Sequence, residues 1–427
     1  MTPTATQRAR VVIVGGGFGG LWAARALAHA PVDVLLIDRR NHHVFSPLLY
    51  QVATAALSPG DIASPIRWVL RRQTNLKVWL AEATAVDVAA KILRLADGDV
   101  PYDHLILAAG SRPAYFGHDE WEAHAPGLKT MEDAITIRRQ VLVAFERAER
   151  ERDRARQKQL LTFVVVGGGA TGVELAGALA EISRHALAHD FRSIQPEAAR
   201  VILIESGADV LASYPSKLSA FARRALEKRG VAVWTGMRVT NIEAGRVHLG
   251  TEVLEAGTVI WSAGVAAAPI GATLGVPLDR SGRVLVNPDL TIPGRDDVYV
   301  VGDMALLNGA DGRPLPGVSQ VAMQEARWAA ENVGRTLRGE SRTPFRYRDL
   351  GNMATIGRNS AVADLPWLRV RLRGYLAWWA WLMLHIYWLI GFRNRLSVMT
   401  QWAFSYMTYQ RSTRLITGDE TWPSQTP

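Results

Sequence analysis

The chain contains no cysteine. This excludes a disulfide scaffold, a thiolate metal site, a cysteine nucleophile and a redox-active cysteine pair. A second absence is local: from Pro366 to Ile416 there is no Asp, Glu or Lys, while seven arginines stand there (Arg369, Arg371, Arg373, Arg393, Arg395, Arg411 and Arg414). A basic, Trp-rich segment points to acidic lipid or nucleic acid rather than to a demand of the fold. The third absence is at the start, where MTPTATQRAR runs into VVIVGGG without an apolar h-region. No secretory signal is expected, and the first domain is expected to fold in the cytoplasm.

What is present is ample core. A chain of 427 residues with 48% hydrophobic content predicts two or three folded domains. Val11–Val14 is an all-β-branched run, as in a strand buried on both faces. Gly15, Gly17 and Gly20 follow in G-x-G-x-x-G spacing, then a stretch of helical composition, then the run VDVLLID ending at Asp38. In that order each part has a task. The first glycine makes the tight turn, the second lets backbone approach a pyrophosphate, and the third allows close helix–strand packing. The acid accepts from adenosine ribose hydroxyls, and the helix N-terminus offers N–H groups to the phosphates.

The same grammar recurs. Phe163–Val166 predicts a strand, Gly167, Gly169 and Gly172 repeat the motif, and VILIES ends a strand at Glu205. The acid is 38 residues after Gly167, longer than the usual ~20, and an extended helix plus loop over HALAHDFRSIQPEAAR accounts for the excess. An acid at this strand end favours a free ribose hydroxyl, hence NADH over NADPH. The mixed-charge stretch Glu146–Gln159 predicts a solvated helix leading into this second fold. Two dinucleotide folds imply two dinucleotides. If one is a flavin, hydride can pass from nicotinamide to flavin and onward.

These residues resemble the two-dinucleotide flavoprotein reductases, and more closely the type II NADH:quinone dehydrogenases, over essentially the whole chain. PLLYQVA, with Pro47 and Gln51, is similar to the family segment beside the isoalloxazine. YDHLILAAGS, with Gly110, looks like the strand and turn that close the first flavin half, and TVIWSAGV, with Gly264, like the return crossover. VYVVGDMA resembles the flavoprotein Gly-Asp motif, which implies Asp303 on the ribityl chain. Glu174 falls where the family keeps a carboxylate facing nicotinamide and flavin. Gln320 and Gln324 match the family's Ala-Gln-x-Ala-x-Gln pattern, except that Ser319 replaces the first Ala. Four apart, they share a helix face, and their amides can donate to quinone carbonyls. Relatives that reduce disulfides or oxidise sulfide need cysteines, which this chain lacks; its electrons must leave the flavin directly.

Near the end, residues 375–392 read YLAWWAWLMLHIYWLIGF, eighteen residues without charge. As one helix they would extend ~27 Å, close to a bilayer's ~30 Å. RVRLR before and RNR after argue against a span, and Trp378, Trp379, Trp381 and Trp388 favour the headgroup boundary. In-plane attachment is favoured; a true span and a buried core or dimer seam are the other readings. His385 reads as a hydrogen-bonded residue rather than a metal ligand. Leu396, Met399, Trp402, Phe404, Tyr406 and Tyr409 make the next stretch roughly amphipathic, and the resemblance implies a monotopic helix pair.

The expected architecture is α/β: two Rossmann-type dinucleotide-binding domains, for FAD and NADH, plus a C-terminal membrane-associating helical segment. The expected division is residues 1–115 and 266–340 for FAD, 116–265 for NADH and 341–427 for membrane attachment. The expected activity is NADH:quinone oxidation–reduction without proton pumping, with Glu174, Gln320 and Gln324 as catalytic candidates. Gly15, Gly17, Gly20, Asp38, Pro47, Gln51, Gly110 and Asp303 are assigned to FAD, and Gly167, Gly169, Gly172, Glu205 and Gly264 to NADH. No metal is expected. Expected partners are a quinone (menaquinone or ubiquinone), anionic lipid at the cytoplasmic membrane face and a second copy of the chain, with no nucleic acid. Two rivals stay open: a soluble NADH reductase using oxygen or a ferredoxin, and a non-enzymatic FAD- and NADH-binding regulator.

Overall fold

The computed structural model describes residues 8–408, 411 and 413–417. The start of the N-terminal segment and Tyr409 lie outside the described residues. Along the chain run β1 (Ala9–Val14), α1 (Phe18–Ala26), β2 (Val32–Asp38), α2 (Leu49–Ala53), β3 (Leu76–Leu80) and β4 (His104–Leu107). Then come α3 (Met131–Arg150), α4 (Arg154–Leu160), β5 (Thr162–Val166), α5 (Ala170–Glu181), β6 (Arg200–Glu205), β7 (Val231–Thr235) and β8 (Thr258–Trp261). The last third holds β9 (Val298–Val300), α6 (Ser319–Leu337), β10 (Asn352–Gly357), β11 (Ser360–Leu365), β12 (Val370–Gly374), α7 (Tyr375–Trp388) and α8 (Phe392–Thr408).

Two compact units share this chain. The first comprises residues 1–44, 63–112 and 265–349; the second comprises 45–62, 113–264 and 350–427. In the first unit a parallel sheet runs β9-β4-β1-β2-β3. Val11, Val12, Ile13 and Leu36 are fully buried because helices must cover both faces of a parallel sheet. Each such side chain contributes roughly 1.5–3 kcal/mol. α1 packs along α6, which brings the chain's last third back against its first motif.

The second unit repeats the plan with a parallel sheet β7-β6-β5-β8. A capping box starts α3, with Thr130 Oγ1 accepting from Asp133 N and the Asp133 carboxylate accepting from Thr130 N. The mixed-charge stretch departs from the single helix expected. Glu151 Oε1 accepts from the N–H groups of Arg152 and Asp153, and Asp153 then caps a new helix through Ala155 N. Beyond α5 the helix widens into a π turn, Ile182–Ala186, before its loop.

Past residue 350 the chain forms an antiparallel sheet, β10-β11-β12. β10 lies so close to α5 that a β-carbon on Gly177 would strike the carbonyl of Ile356.

The eighteen apolar residues do not form one helix. α7 has 14 residues, about 21 Å; Leu389 is extended and Gly391 has φ +94°. The break is stabilised by Arg395, whose guanidinium donates to the carbonyls of Leu389 at 2.8 Å and Tyr387 at 2.7 Å, orphaned at the helix end. Among the described residues no helix is long and apolar enough to cross a membrane.

Nor do the seven arginines form one lipid-facing set. Arg411 is buried, donates to the Thr54 carbonyl at 2.6 Å and pairs with Glu181 at 3.6 Å, and Arg414 pairs with Asp190. These acids lie far away in sequence, so the tail's basic character is partly internal. α8 is held likewise: Ser397 and Gln401 donate to the buried Asp61 carboxylate.

Candidate active site

Both glycine motifs are built alike. In the first unit a β-carbon on Gly15 would strike the Ala108 carbonyl, and one on Gly20 the Gly15 carbonyl, whereas nothing lies within 4 Å above Gly17. In the second, a β-carbon on Gly167 would stand 2.7 Å from Ala263, one on Gly172 would strike the Gly167 carbonyl, and Gly169 again faces open space. The outer glycines are thus required by packing, and the middle one presents bare backbone to a ligand. Gly15 at φ +102° and Gly167 at φ +107° make the turns. Neither α1 nor α5 has a side chain capping its N-terminus, so their first N–H groups are available to an anion. The residues present fit a dinucleotide in each unit.

The two acids also match. Asp38 accepts from Gly16 N at 2.5 Å and Arg40 N at 2.6 Å; Glu205 accepts from Gly168 N and Gly207 N, both at 2.6 Å. Each carboxylate ties the glycine loop to the end of the neighbouring strand. Glu205 also accepts from the Ser206 hydroxyl at 3.3 Å; a carboxylate has about four acceptor sites, so each acid keeps capacity for a ribose hydroxyl.

Also in the first unit, the Ser111 hydroxyl donates to Asp303 at 2.5 Å. Gly110, at φ +73°, accepts from Ala268 N at 3.0 Å and has open space where a side chain would stand. Next to Asp303, Gly302 N donates to Glu325 at 2.6 Å. Glu325 is 1% exposed, and burial, reinforced by the Asp303 charge, pushes its carboxyl up to about 8. Gln320 and Gln324 lie one turn apart on α6 and are half-buried. Gln324 holds a strand-like pair with Arg348, donating to its carbonyl at 2.9 Å and accepting from its N–H at 3.0 Å.

The second unit contains a cavity of about 700 Å³, open mouth included. Along one side run Glu174, Ala178 and Glu181, a single stripe of α5 at i, i+4 and i+7. Also lining it are Tyr50, Gln51 and Thr54 of α2 and its end, the aromatic residues Trp378 and Trp381 from α7 and Trp402 and Tyr406 from α8, and two arginines, Arg358 and Arg411. Gln51 is fixed, donating to the Tyr50 hydroxyl at 2.9 Å and accepting from Trp402 Nε1 at 2.7 Å. Pro47 sits in the 3₁₀ turn Ser46–Leu48 just before α2. Glu174 is half-buried at the cavity wall, where Thr355 N reaches it at 3.4 Å, and burial raises its carboxyl to about 8. It is protonated near neutrality. Burial and that neighbour push the Tyr50 hydroxyl well up, so it keeps its proton too.

His385 hydrogen-bonds the Trp381 carbonyl at 2.7 Å, and burial lowers it to about 4, so it is neutral. Several residues of this site carry no sequence motif. Glu181 is marked only by its spacing from Glu174. The indole Nε1 of Trp381 is buried without a hydrogen-bond partner among the described residues. Outside the cavity lining, Nε of Arg138, a residue 6% exposed on α3, is likewise buried without a partner among the described residues. A buried arginine nitrogen in this state is a natural seat for an anion.

Residues 9–326 match the family model described as pyridine nucleotide-disulphide oxidoreductase, and residues 350–410 match the NDH2 C-terminal domain. The type II NADH:quinone oxidoreductase NdhA of Mycobacterium tuberculosis is 44% identical, over 96% of this chain and 90% of that protein. The chain belongs to the type II NADH:quinone oxidoreductase family. Another relative is the demethylphylloquinone reductase NdbB of Synechocystis, 30% identical over 92% of this chain and 96% of that one. The structure of NDH2 from Plasmodium falciparum in complex with NADH shares the fold, with TM-score 0.86 over 96% of this chain and all of that one, at 20% identity. The sulfide:quinone oxidoreductase of Aquifex aeolicus shares it more loosely, with TM-score 0.71 at 18% identity. Disulphide chemistry in the broader family's description does not extend to this type II member, because it has no cysteine.

Proposed function

We infer that the chain is a flavin-dependent NADH:quinone oxidoreductase that does not pump protons. The observation that carries this reading is the pair of matched glycine cradles, with a protonated, aromatic-walled cavity in the second of the two units. Bound FAD supplies the chemistry, accepting hydride from NADH and passing two electrons to quinone. Everything else is position and electrostatics. Gly15, Gly17 and Gly20 with the α1 N-terminus hold the FAD pyrophosphate, Asp38 its ribose and Asp303 its ribityl chain; Gly110, Pro47 and Gln51 are assigned to the flavin by resemblance. Gly167, Gly169 and Gly172 with the α5 N-terminus hold NADH, Glu205 its adenosine ribose, and Gly264 ends the crossover on its nicotinamide side.

NADH, H⁺ and quinone yield NAD⁺ and quinol, so each turnover needs one proton besides the hydride. Glu174, neutral near pH 7, is the group placed to hold it. Gln320 and Gln324 orient the quinone, menaquinone or ubiquinone. In the second unit, the cavity's aromatic residues Trp378, Trp381, Trp402 and Tyr406 suit a flat ring.

Membrane attachment belongs to the same reading. Leu376, Met383, Tyr387 and Phe392 expose large apolar side chains on and beside α7, with Arg369, Arg371 and Arg393 exposed nearby. This combination favours a helix lying in an anionic lipid surface. The cytoplasmic face and a homodimer rest on the resemblance alone. The test is NADH oxidation by the FAD-loaded protein with and without added quinone. Turnover should depend on quinone and fall in Gln320→Ala and Gln324→Ala; unchanged quinone kinetics in both variants would remove the glutamines from the quinone site.

A further inference from the structure

Two adjacent aromatic residues in the second unit have opposite surroundings. Tyr115 is 2% exposed, stacks on Trp261 with centroids 5.3 Å apart and donates its hydroxyl to the Ala125 carbonyl at 2.9 Å. Phe116 is 72% exposed. Its backbone has φ +56°, with Gly117 next at φ +95°. Bulky residues rarely adopt this left-handed region, and where they do the surroundings must impose it. Burial is not the return, because the ring is outside.

The ring nevertheless has a defined seat. It meets Trp261 edge-on at 6.3 Å and 61°. Its tip also lies 2.8 Å from where a β-carbon of Gly264 would stand, and Gly264 itself has φ +109°. A glycine at 264 and an unfavourable backbone at 116 together hold an aromatic ring out over the end of β8.

That end of the sheet has a definite place in a nucleotide fold. With strand order β7-β6-β5-β8, the pyrophosphate position lies beyond β5 at the α5 N-terminus. Glu205, the ribose acid, terminates β6 on one side of it. The other half of a bound dinucleotide must therefore run toward β8. There the Ser262 hydroxyl bonds the carbonyls of Val166 and Gly167 at 2.8 and 3.0 Å, tying the end of β8 to the glycine loop. Two residues further is Gly264, beneath Phe116.

We propose that Phe116 is a positioning residue for the nicotinamide half of NADH, its ring packing on the nicotinamide and adjoining ribose. The proposal rests on the reading that NADH docks on the second cradle. A flat apolar ring suits this task, since the nicotinamide ring is flat and needs its pose fixed without a competing hydrogen bond.

The test compares FAD-loaded Phe116→Asn and Phe116→Trp with wild type. Asn adopts the left-handed backbone readily, so the first variant removes the ring without adding strain. Binding of NAD⁺ by titration, flavin reduction by NADH in rapid mixing, reoxidation by quinone and Tm are all measured. Phe116→Asn should weaken NAD⁺ binding and raise the NADH concentration for half-maximal flavin reduction by about 5–10-fold. Its quinone reoxidation rate and Tm should not fall, and Phe116→Trp should stay within about threefold of wild type. Nucleotide binding by Phe116→Asn within about twofold of wild type would overturn the proposal. Glu205→Gln separates the causes. If it weakens NAD⁺ binding while Phe116→Asn does not, only the role of Phe116 falls; if neither does, the docking reading falls with it.

Discussion

Replacing Glu174 by Gln tests the electrostatics of the cavity. Burial holds this carboxyl at about 8 against its ordinary 4.5, with only the Thr355 N–H acting the other way. The unfolded chain releases the proton near 4.5 and the folded chain near 8. Between those values the folded state binds one more proton, so stability falls as pH rises, by about 1.4 kcal/mol per unit. The contribution is intact below pH 4.5 and fully lost above pH 8. The difference of roughly 3.5 units sets a ceiling of about 5 kcal/mol. Gln keeps the shape of the neutral acid and cannot ionise. In thermal unfolding of the FAD-loaded proteins, Glu174→Gln should be close to wild type near pH 5 and clearly more stable at about pH 9. Glu325 adds its own slope to both proteins and cancels in the comparison. Parallel Tm–pH curves for the two proteins would show that Glu174 is not held neutral in the folded state.

Gly172→Ala should abolish NADH-driven flavin reduction while FAD stays bound, because the added methyl runs into the Gly167 carbonyl; the visible spectrum before and after NADH reads both. Arg411→Ala leaves Glu181 and the Thr54 carbonyl without their buried partner and should destabilise the second unit by about 3–5 kcal/mol, measured by denaturant unfolding. Leu376→Glu with Phe392→Glu should reduce flotation with anionic vesicles by tenfold or more, roughly what two lost apolar anchors are worth, with NADH binding unchanged.

The nucleotide folds were legible because their constraints are local. A strand, a glycine that cannot carry a β-carbon and an acid at the next strand end occur in fixed order, and both cradles have this form. The C-terminal segment was less legible because its constraints are distant. Nothing near Arg411 or Arg414 in sequence announces Glu181 or Asp190, so both arginines read as lipid ligands. The break after Trp388 had one local signal, Gly391, which an uninterrupted apolar run obscures. Asp153 was the overlooked cap that divides the charged helix. Glu174 could be placed by its motif, but its protonation depends on α5 being covered by β10 and the aromatic helices. The outward turn of Phe116 is a backbone property with no counterpart in composition.

On this reading NADH reduces a bound flavin, and quinone then reoxidises it. An anaerobic two-step titration tests this most directly. One equivalent of NADH should bleach the flavin absorbance fully, and one equivalent of quinone should restore it. A flavin that stays oxidised with NADH, or stays reduced with quinone yet is reoxidised by oxygen or a ferredoxin, would rule out NADH:quinone turnover.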